Sequence, residues 1–568
     1  MSAIGAYRAA QLPVPGRMLA WHLTGKGLES LHLVEVPTPQ AGPGQLLCRI
    51  DAAGLCFSDI KVLTLGSEHP RIAGRDLEAD PVVMGHEVAL TVVDVGDGLA
   101  AAYNLGDRFV VQADIIYRGQ GLAFGYALPG ALEQFVVIGR EILEGDEGSY
   151  LIPVEPDTGD AEAALSEPWA CVERSYRAGH RSGLKPRGTA MVVGLAGGDY
   201  SALTWGMSAD GPWPAKAVVA GLPDSLLGPL TQGVGEAGIE KVACQSCALG
   251  AGYEYDDIIL IGDHDPETVE AAGKALAKGG ILCLVRSTPL PRKVEVDVGR
   301  IHYDDTHYVG TSGPHIGDGY VSRDSDVKPG GKAWYIGAGG PMGQMHVQRA
   351  CEDPNGPALA LCTDVDTDRL NTVPARYGDA AKATGTELVA INPTEMQPEA
   401  FEAKLRALAP EGFDDIVCLA PVPALISGAM DHMGRDGVLN IFAGLARGTM
   451  ATLDLSPTCL KGVRMTGTSG SAISDLEFTL HKTERCELSP NRSVAAIGGM
   501  NAAHRGLEAV KGGEFAGKIV IYPQIVDLPL TPLEDLKEAL PEVAAKLGPL
   551  DTWTKEAEIA LIEHFLPE

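Results

Sequence analysis

Three short stretches of this chain hold residues that can do chemistry together: Gly54-Leu55-Cys56-Phe57-Ser58-Asp59-Ile60-Lys61, Gly85-His86-Glu87, and Leu165-Ser166-Glu167-Pro168-Trp169-Ala170-Cys171. A thiolate, an imidazole and carboxylates are the donor set of a catalytic zinc, which keeps one coordination position open to water or substrate. Cys56 and His86 supply two ligands. Glu167 is a candidate third, with Glu87 as a close or exchanging carboxylate and Cys171 as a rival. Singly, each has a plain structural reading as a buried cysteine, a core histidine or a helix-capping glutamate; the combination is harder to dismiss.

A second piece of chemistry lies in Trp334 to Val347, WYIGAGGPMGQMHV. It reads as a short apolar strand, a glycine turn and the start of a helix. Such a turn lets the backbone approach a pyrophosphate, and the free N–H groups of the following helix point at the phosphates. Gly337, Ala338, Gly340, Pro341, Met342 and Gly343 are the expected contacts. The next strand runs into Asp364, roughly 20 residues past the turn, where a carboxylate meets the ribose hydroxyls of NAD and repels the 2′-phosphate of NADP. This spacing predicts NAD rather than NADP.

These groups need a frame. Residues 20–140 alternate β-type runs with Gly and Pro turns, the pattern of a small antiparallel barrel-like domain. At 568 residues, with 45% hydrophobic content, 70 Gly and 38 Pro, the chain predicts several turn-rich α/β domains. A formal charge of −30 argues against nucleic acid or an anionic membrane as partner. No apolar run is long enough to span a membrane and the N-terminus lacks a signal-peptide core, so a cytoplasmic protein is expected. Eleven scattered cysteines make no disulfide framework. The pair Cys244-Gln245-Ser246-Cys247 has redox or zinc spacing but no second pair nearby, and reads as coincidence.

The middle of the chain is written twice. Lys185-Pro186-Arg187-Gly188 answers to Lys328-Pro329-Gly330-Gly331, Gly194-Leu195-Ala196-Gly197 to Gly337-Ala338-Gly339-Gly340, Asp256-Asp257-Ile258 to Asp414-Asp415-Ile416, and Gly310-Thr311-Ser312-Gly313 to Gly467-Thr468-Ser469-Gly470. The first copy predicts strands at Ala190 to Val193, Ala217 to Ala220, Lys241 to Ala243, Asp257 to Ile261, Gly280 to Val285 and Thr306 to Thr311. Alternating strands and helices predict a doubly wound parallel sheet in each copy. In this alignment Tyr200 stands in place of Gly343 and Gly221 in place of Asp364. The first copy is therefore expected to be degenerate, with Tyr200 pushing its helix off the strand, and only the second to bind dinucleotide.

The motifs GLCFSD and GHE followed by the glycine turn resemble the zinc-dependent medium-chain dehydrogenase/reductase superfamily. Leu65-Gly66-Ser67-Glu68-His69-Pro70-Arg71, Leu165-Ser166-Glu167-Pro168, Ile301-His302-Tyr303 with Thr306-His307, and Phe413-Asp414-Asp415-Ile416 make the L-sorbose 1-phosphate reductase-like proteins the nearer resemblance. The resemblance implies a GroES-like β-rich catalytic domain with one catalytic zinc on Cys56, His86 and a glutamate (Glu87 or Glu167), and Ser58 as proton relay. It implies no structural zinc, since no cysteine lies between Cys56 and Cys171. The expected organisation is a catalytic domain over residues 1–185, a degenerate Rossmann-like repeat over 186–315, and an NAD-binding Rossmann domain over 326–472. A return to the catalytic domain over 473–528 and a helical tail over 529–568 complete it.

The expected reaction is hydride transfer between NAD(H) and a secondary alcohol or ketone of a small-molecule polyol, sugar or sugar phosphate. Lys61, His69 and Arg71 are candidate substrate contacts. A threonine-type amino-alcohol dehydrogenase and a non-catalytic scaffold are the alternatives, and a homo-oligomer stays open.

Overall fold

The computed structural model describes residues 3–566 apart from 73, 196, 208–210, 251, 253, 323 and 324; Ala196 of the repeated glycine motif thus lies outside the described residues. The chain falls into two compact units, one of Met1–Glu173, Gly340–Met345 and Gly470–Glu568, the other of Arg174–Gly339 and His346–Ser469.

The first unit is built on an eight-stranded sheet. Its long central strand Leu46–Leu55 is flanked by Glu87–Val95 and by Lys518–Tyr522, both antiparallel to it. Leu46–Leu55 is buried along its whole length, and its two charged residues, Arg49 and Asp51, are paired with each other at 2.6 Å, as a strand covered on both faces requires. Chain from residues 473–528 thereby adds the strands Val494–Gly499 and Lys518–Tyr522 to this sheet, and the tail, expected to be helical from residue 529, first gives it the short edge strand Thr531–Pro532. The helix Ala503–Gly512 packs on the helix Phe57–Leu65. In the tail, Leu536, Leu540, Val543, Trp553, Ala557 and Leu561 are buried in one cluster with Ala161, Ala164 and Leu165. The tail helix Lys555–Phe565 also delivers a buried carboxylate: Glu558 accepts from the Asp160 and Ala161 amides at 2.6 and 2.7 Å and from the Tyr522 hydroxyl at 2.9 Å. It thereby satisfies free N–H groups at the start of the helix Asp160–Ala164.

The second unit holds two six-stranded parallel sheets with the same strand order, 3-2-1-4-5-6 in each copy. The repeated motifs prove to be matching clamps. Lys185 and Lys328 reach Asp256 and Asp414, each at 2.6 Å, and their backbone amides donate to the buried Asp257 and Asp415 at 2.8 and 2.9 Å. Burial pushes these last two carboxyls up, to about 6 for Asp257 and about 7 for Asp415. The third strand of the first copy is Ile239–Lys241, two residues earlier than its expected place. The chain leaves the sheet after Val242, whose amide still donates to Val219.

The copies differ where the second turns into its helix. Gly337 has φ 89°, a conformation that favours glycine, and the helix Pro341–Glu352 follows. In the first copy no helix stands between the strands Thr189–Gly194 and Lys216–Ala220 among the described residues. The expected displaced helix is thus not found among the described residues. Tyr200 fills the space instead: its hydroxyl accepts from the Leu195 amide at 2.8 Å and donates to the Ile261 carbonyl at 3.1 Å.

Each copy also sends out a short strand, Val294–Asp297 and Met450–Leu453, and these pair antiparallel with each other. The edge strands His307–Thr311 and Arg464–Thr466 pack side by side next to them.

Candidate active site

Cys56 is the residue before the helix Phe57–Leu65, at the end of the central strand. Its amide donates to Asp59 Oδ2 at 2.9 Å, which fixes the first turn and the direction of the thiol. Ser58 Oγ is 3.6 Å from Cys56 Sγ. His86 and Glu87 open the neighbouring strand. Among the described residues, Cys56, His86 and Glu87 bring one ligand atom each to within 4.8 Å of one another. His86 Nδ1 stands 3.4 Å from Asp59 Oδ1, and Asp59, buried, links the cysteine's backbone to the histidine's ring. Outer-shell carboxylates of this kind orient ligand histidines. Apart from that facing pair, Glu87 Oε2 is buried without a hydrogen-bond partner. A buried carboxylate oxygen left open beside a thiol and an imidazole is what a cation fits.

Glu87 is not free to move. Lys518 Nζ lies 2.5 Å from Glu87 Oε1, and both side chains are buried. The carboxylate occupies the space above Gly54 on the strand between them, where a Cβ would stand 2.0 Å from Glu87 Oε2. Gly54 is therefore required by close approach.

Glu167 and Cys171, on the helix Ser166–Arg177, stay outside the tight group of three. Glu167 is still their electrostatic neighbour: burial pushes its carboxyl up to about 7, opposed by His86 and helped by Glu87 and Asp114. Burial likewise pushes the Cys171 thiol up, with Glu167 adding to it.

The basic residues gather around Tyr126. Its ring lies 5.8 Å from the His86 ring, 5.3 Å from the His69 ring and 5.0 Å from the Arg71 guanidinium. Arg71 also pairs with Asp114 at 2.5 Å. Burial lowers the pKa of His69, with Arg71 and Lys61 adding to the effect, so all three basic groups share one electrostatic neighbourhood. Tyr126, Asp59 and Lys518 escaped the sequence reading. Asp59 lies inside the motif that carries Cys56, and Lys518 inside Gly517-Lys518-Ile519-Val520-Ile521, which resembles the closing strand of the catalytic domain; Tyr126 and Lys518 are distant in sequence from the residues they touch.

In the second copy, Asp364 is buried and its Oδ2 accepts from the Gly339 amide at 2.9 Å. Its other oxygen accepts from Asp366 at 3.0 Å, and Arg369 Nη2 is 3.8 Å away. In the first copy Gly221 occupies the matching place, directly after the strand Lys216–Ala220. His302 and His307, the resemblance's other marks, are buried in the second unit, with His307 Nε2 3.1 Å from Asp305.

Residues 42–143 match the alcohol dehydrogenase GroES-like domain. An uncharacterised protein of Escherichia coli, YggP, is 30% identical over 51% of this chain and 73% of its own length. The chain belongs to the zinc-dependent medium-chain dehydrogenase/reductase superfamily. Along nearly the whole chain, 95% of it and 96% of the relative, it is 24% identical to mannitol-1-phosphate 5-dehydrogenase of Aliivibrio fischeri. L-Sorbose 1-phosphate reductase of Klebsiella pneumoniae is 27% identical over 51% of the chain and 75% of its own length. As a member of this superfamily the protein is an alcohol dehydrogenase/reductase that uses zinc and a nicotinamide dinucleotide. No helix among the described residues is long and apolar enough to cross a membrane.

Proposed function

We propose that this enzyme moves a hydride between NAD(H) and the secondary alcohol or ketone of a phosphorylated polyol or sugar. The observation that carries this reading is the Arg71 guanidinium, one aromatic ring away from the ligand histidine: Tyr126 neighbours Arg71, His69 and His86 together. An arginine fork matches phosphate geometry, the neutral His69 ring adds a hydrogen-bonding group, and Lys61 in the same electrostatic neighbourhood adds charge. Two relatives named for sugar or polyol phosphates support the same substrate class.

Cys56 and His86 would hold the one catalytic zinc, with Glu87 or Glu167 as the carboxylate. Zinc, when bound, polarises the substrate oxygen while the nicotinamide carries the hydride. Asp59 keeps the His86 ring in place, Lys518 anchors Glu87, and the Ser58 hydroxyl, next to Cys56, passes the alcohol proton outward. Glu167, poised near neutrality by burial, is a second group able to hold a proton beside the site. Asp364 directs the cofactor preference toward NAD. All eleven cysteines are free thiols, which suits the reducing cytoplasm in which we place the enzyme.

Steady-state kinetics on a hexitol phosphate and on the same hexitol without phosphate test the proposal. The expected result is a preference for the phosphorylated substrate that Arg71→Met lowers by about tenfold or more through KM, the loss of one charged hydrogen-bonding partner. Equal kcat/KM for the two substrates in the unaltered enzyme would overturn it.

A further inference from the structure

The first copy keeps the strand order of a dinucleotide-binding sheet, but its turn is plugged by Tyr200 and its ribose carboxylate is absent. What it carries instead lies just past the end of its edge strand Ile239–Lys241, at the carboxyl side of the parallel sheet, where such folds place their ligands. There Cys244 and Cys247 bring their sulfurs to 3.2 Å, and Cys244 Sγ lies 3.0 Å from Ser246 Oγ. Cys247 is exposed and Cys244 is partly so. The second copy has Asn392-Pro393-Thr394-Glu395 after the equivalent strand Glu387–Ile391, with no cysteine. The pair therefore belongs to the copy that has lost its cofactor turn.

We propose that Cys244 and Cys247 form a thiol–disulfide exchange site for small-molecule disulfides of the glutathione type. A disulfide bond needs sulfurs at about 2.05 Å, so side-chain rotation over roughly an ångström closes the pair. No other two thiols among the described residues are in such contact: Cys486 is exposed, Cys56 and Cys171 are partly buried in and beside the candidate metal group, and Cys48, Cys283, Cys351, Cys362, Cys418 and Cys459 are buried. Hydrogen bonds from Ser246 and from Cys247 bring the Cys244 thiol down to about 7, so a substantial share of it is thiolate near neutrality, while the same contact raises Cys247. Cys244 is thus the attacking sulfur and Cys247 the resolving one.

The exchange runs in two displacements. The Cys244 thiolate attacks one sulfur of the small disulfide, whose S–S bond breaks, and one small thiolate leaves. Cys247 loses its proton and attacks Cys244 Sγ in the mixed disulfide, forming the Cys244–Cys247 bond and expelling the second small thiolate. Two protein thiols are oxidised, the small disulfide is reduced to two thiols, and the two thiol protons end on the departing thiolates.

The test uses the full-length, zinc-loaded protein in glutathione buffers of increasing oxidised fraction, followed by acid quench, alkylation and tryptic mass mapping. Cleavage after Lys241 and Lys274 releases one peptide that contains both cysteines and no other. The expected result is an internal disulfide in that peptide before Cys486 reacts. Cys247→Ser should accumulate a glutathione mixed disulfide at Cys244, and Cys244→Ser should slow reaction at Cys247 by about tenfold or more. Both exposed substitutions should keep the zinc content of the unaltered protein, which shows the fold intact. The proposal fails if both thiols survive fully oxidising buffer, if Cys486 reacts as fast as Cys244, or if the pair binds a second zinc that Cys244→Ser removes.

Discussion

Replacing Lys518 by methionine should open the metal end of the catalytic sheet. In the native protein Lys518 Nζ and Glu87 Oε1 are 2.5 Å apart, with the two side chains 4% and 0% exposed. At an effective dielectric of about 20 their attraction is of the order of 7 kcal/mol, offset by several kcal/mol of desolvation for each ion. Methionine preserves the volume but leaves the Glu87 carboxylate buried with neither oxygen paired, because Oε2 already lacks a partner. Removing one member of such a pair costs about 3–5 kcal/mol. Hydrogen exchange on the metal-free protein reads this locally: protection of Glu87–Val95 and Lys518–Tyr522 should fall by roughly two to four orders of magnitude. Zinc should return part of the loss by taking up the released carboxylate. The double variant Lys518→Met/Glu87→Gln should recover much of it without metal. Protection within about 1 kcal/mol of the parent in the single variant, or no recovery in the double, would refute the reasoning.

Gly54→Ala should place a methyl group against Glu87 Oε2, costing about 1–3 kcal/mol and speeding zinc loss to a chelator; unchanged metal retention counts against the close approach. Calorimetric titration with NADH should give one site per chain and none after Gly343→Tyr, because Tyr200 already occupies the first copy's turn; a stoichiometry near two means the lobes are misassigned. Burial, with Asp160 adding, raises Glu558 from its ordinary range to about 8. Its contribution is therefore complete below the unfolded value near 4.5 and lost as pH rises through about 8. Proteolysis of the tail helix Lys555–Phe565 should accelerate as pH rises from about 5 to about 8 and level off above it, and Glu558→Gln should flatten that dependence; a pH-independent rate in the parent protein contradicts it.

Local signals carried much of this architecture. The KPxG and DDI motifs repeat because each copy needs the same lysine–aspartate clamp, and the strands around them follow from apolar runs between glycines. Cys56 and His86 with a glutamate, Glu167 or Glu87, were legible as a candidate donor set because their residue types are rare together; that Glu87 rather than Glu167 joins the tight group had to be seen. Illegible were the pairings whose partners lie hundreds of residues apart. Nothing near Lys518 points to Glu87, and nothing in the tail's helical period singles out Glu558 as a cap for Asp160–Ala164. Tyr200 was noticed as a misfit glycine position, yet its hydroxyl had to be seen on the Leu195 amide before the missing helix made sense. The third strand of the first copy slipped because Val242 and Ala243 look as β-prone as Ile239, and only the sheet edge decides where pairing stops.

The antiparallel contact of Val294–Asp297 with Met450–Leu453 joins equivalent pieces of the two copies, the arrangement in which a symmetric pair of subunits meets. When two identical chains meet in that way, every substitution lands on both sides at once, so each residue must suit its own counterpart. Tandem fusion lifts that condition. Glu295 faces Thr452 and Val296 faces Ala451 here, and either side can now change alone. The first copy can thus differ from the second, with no helix after its first strand among the described residues and Gly221 where the second has Asp364, while the seam between them stays matched without being self-matched.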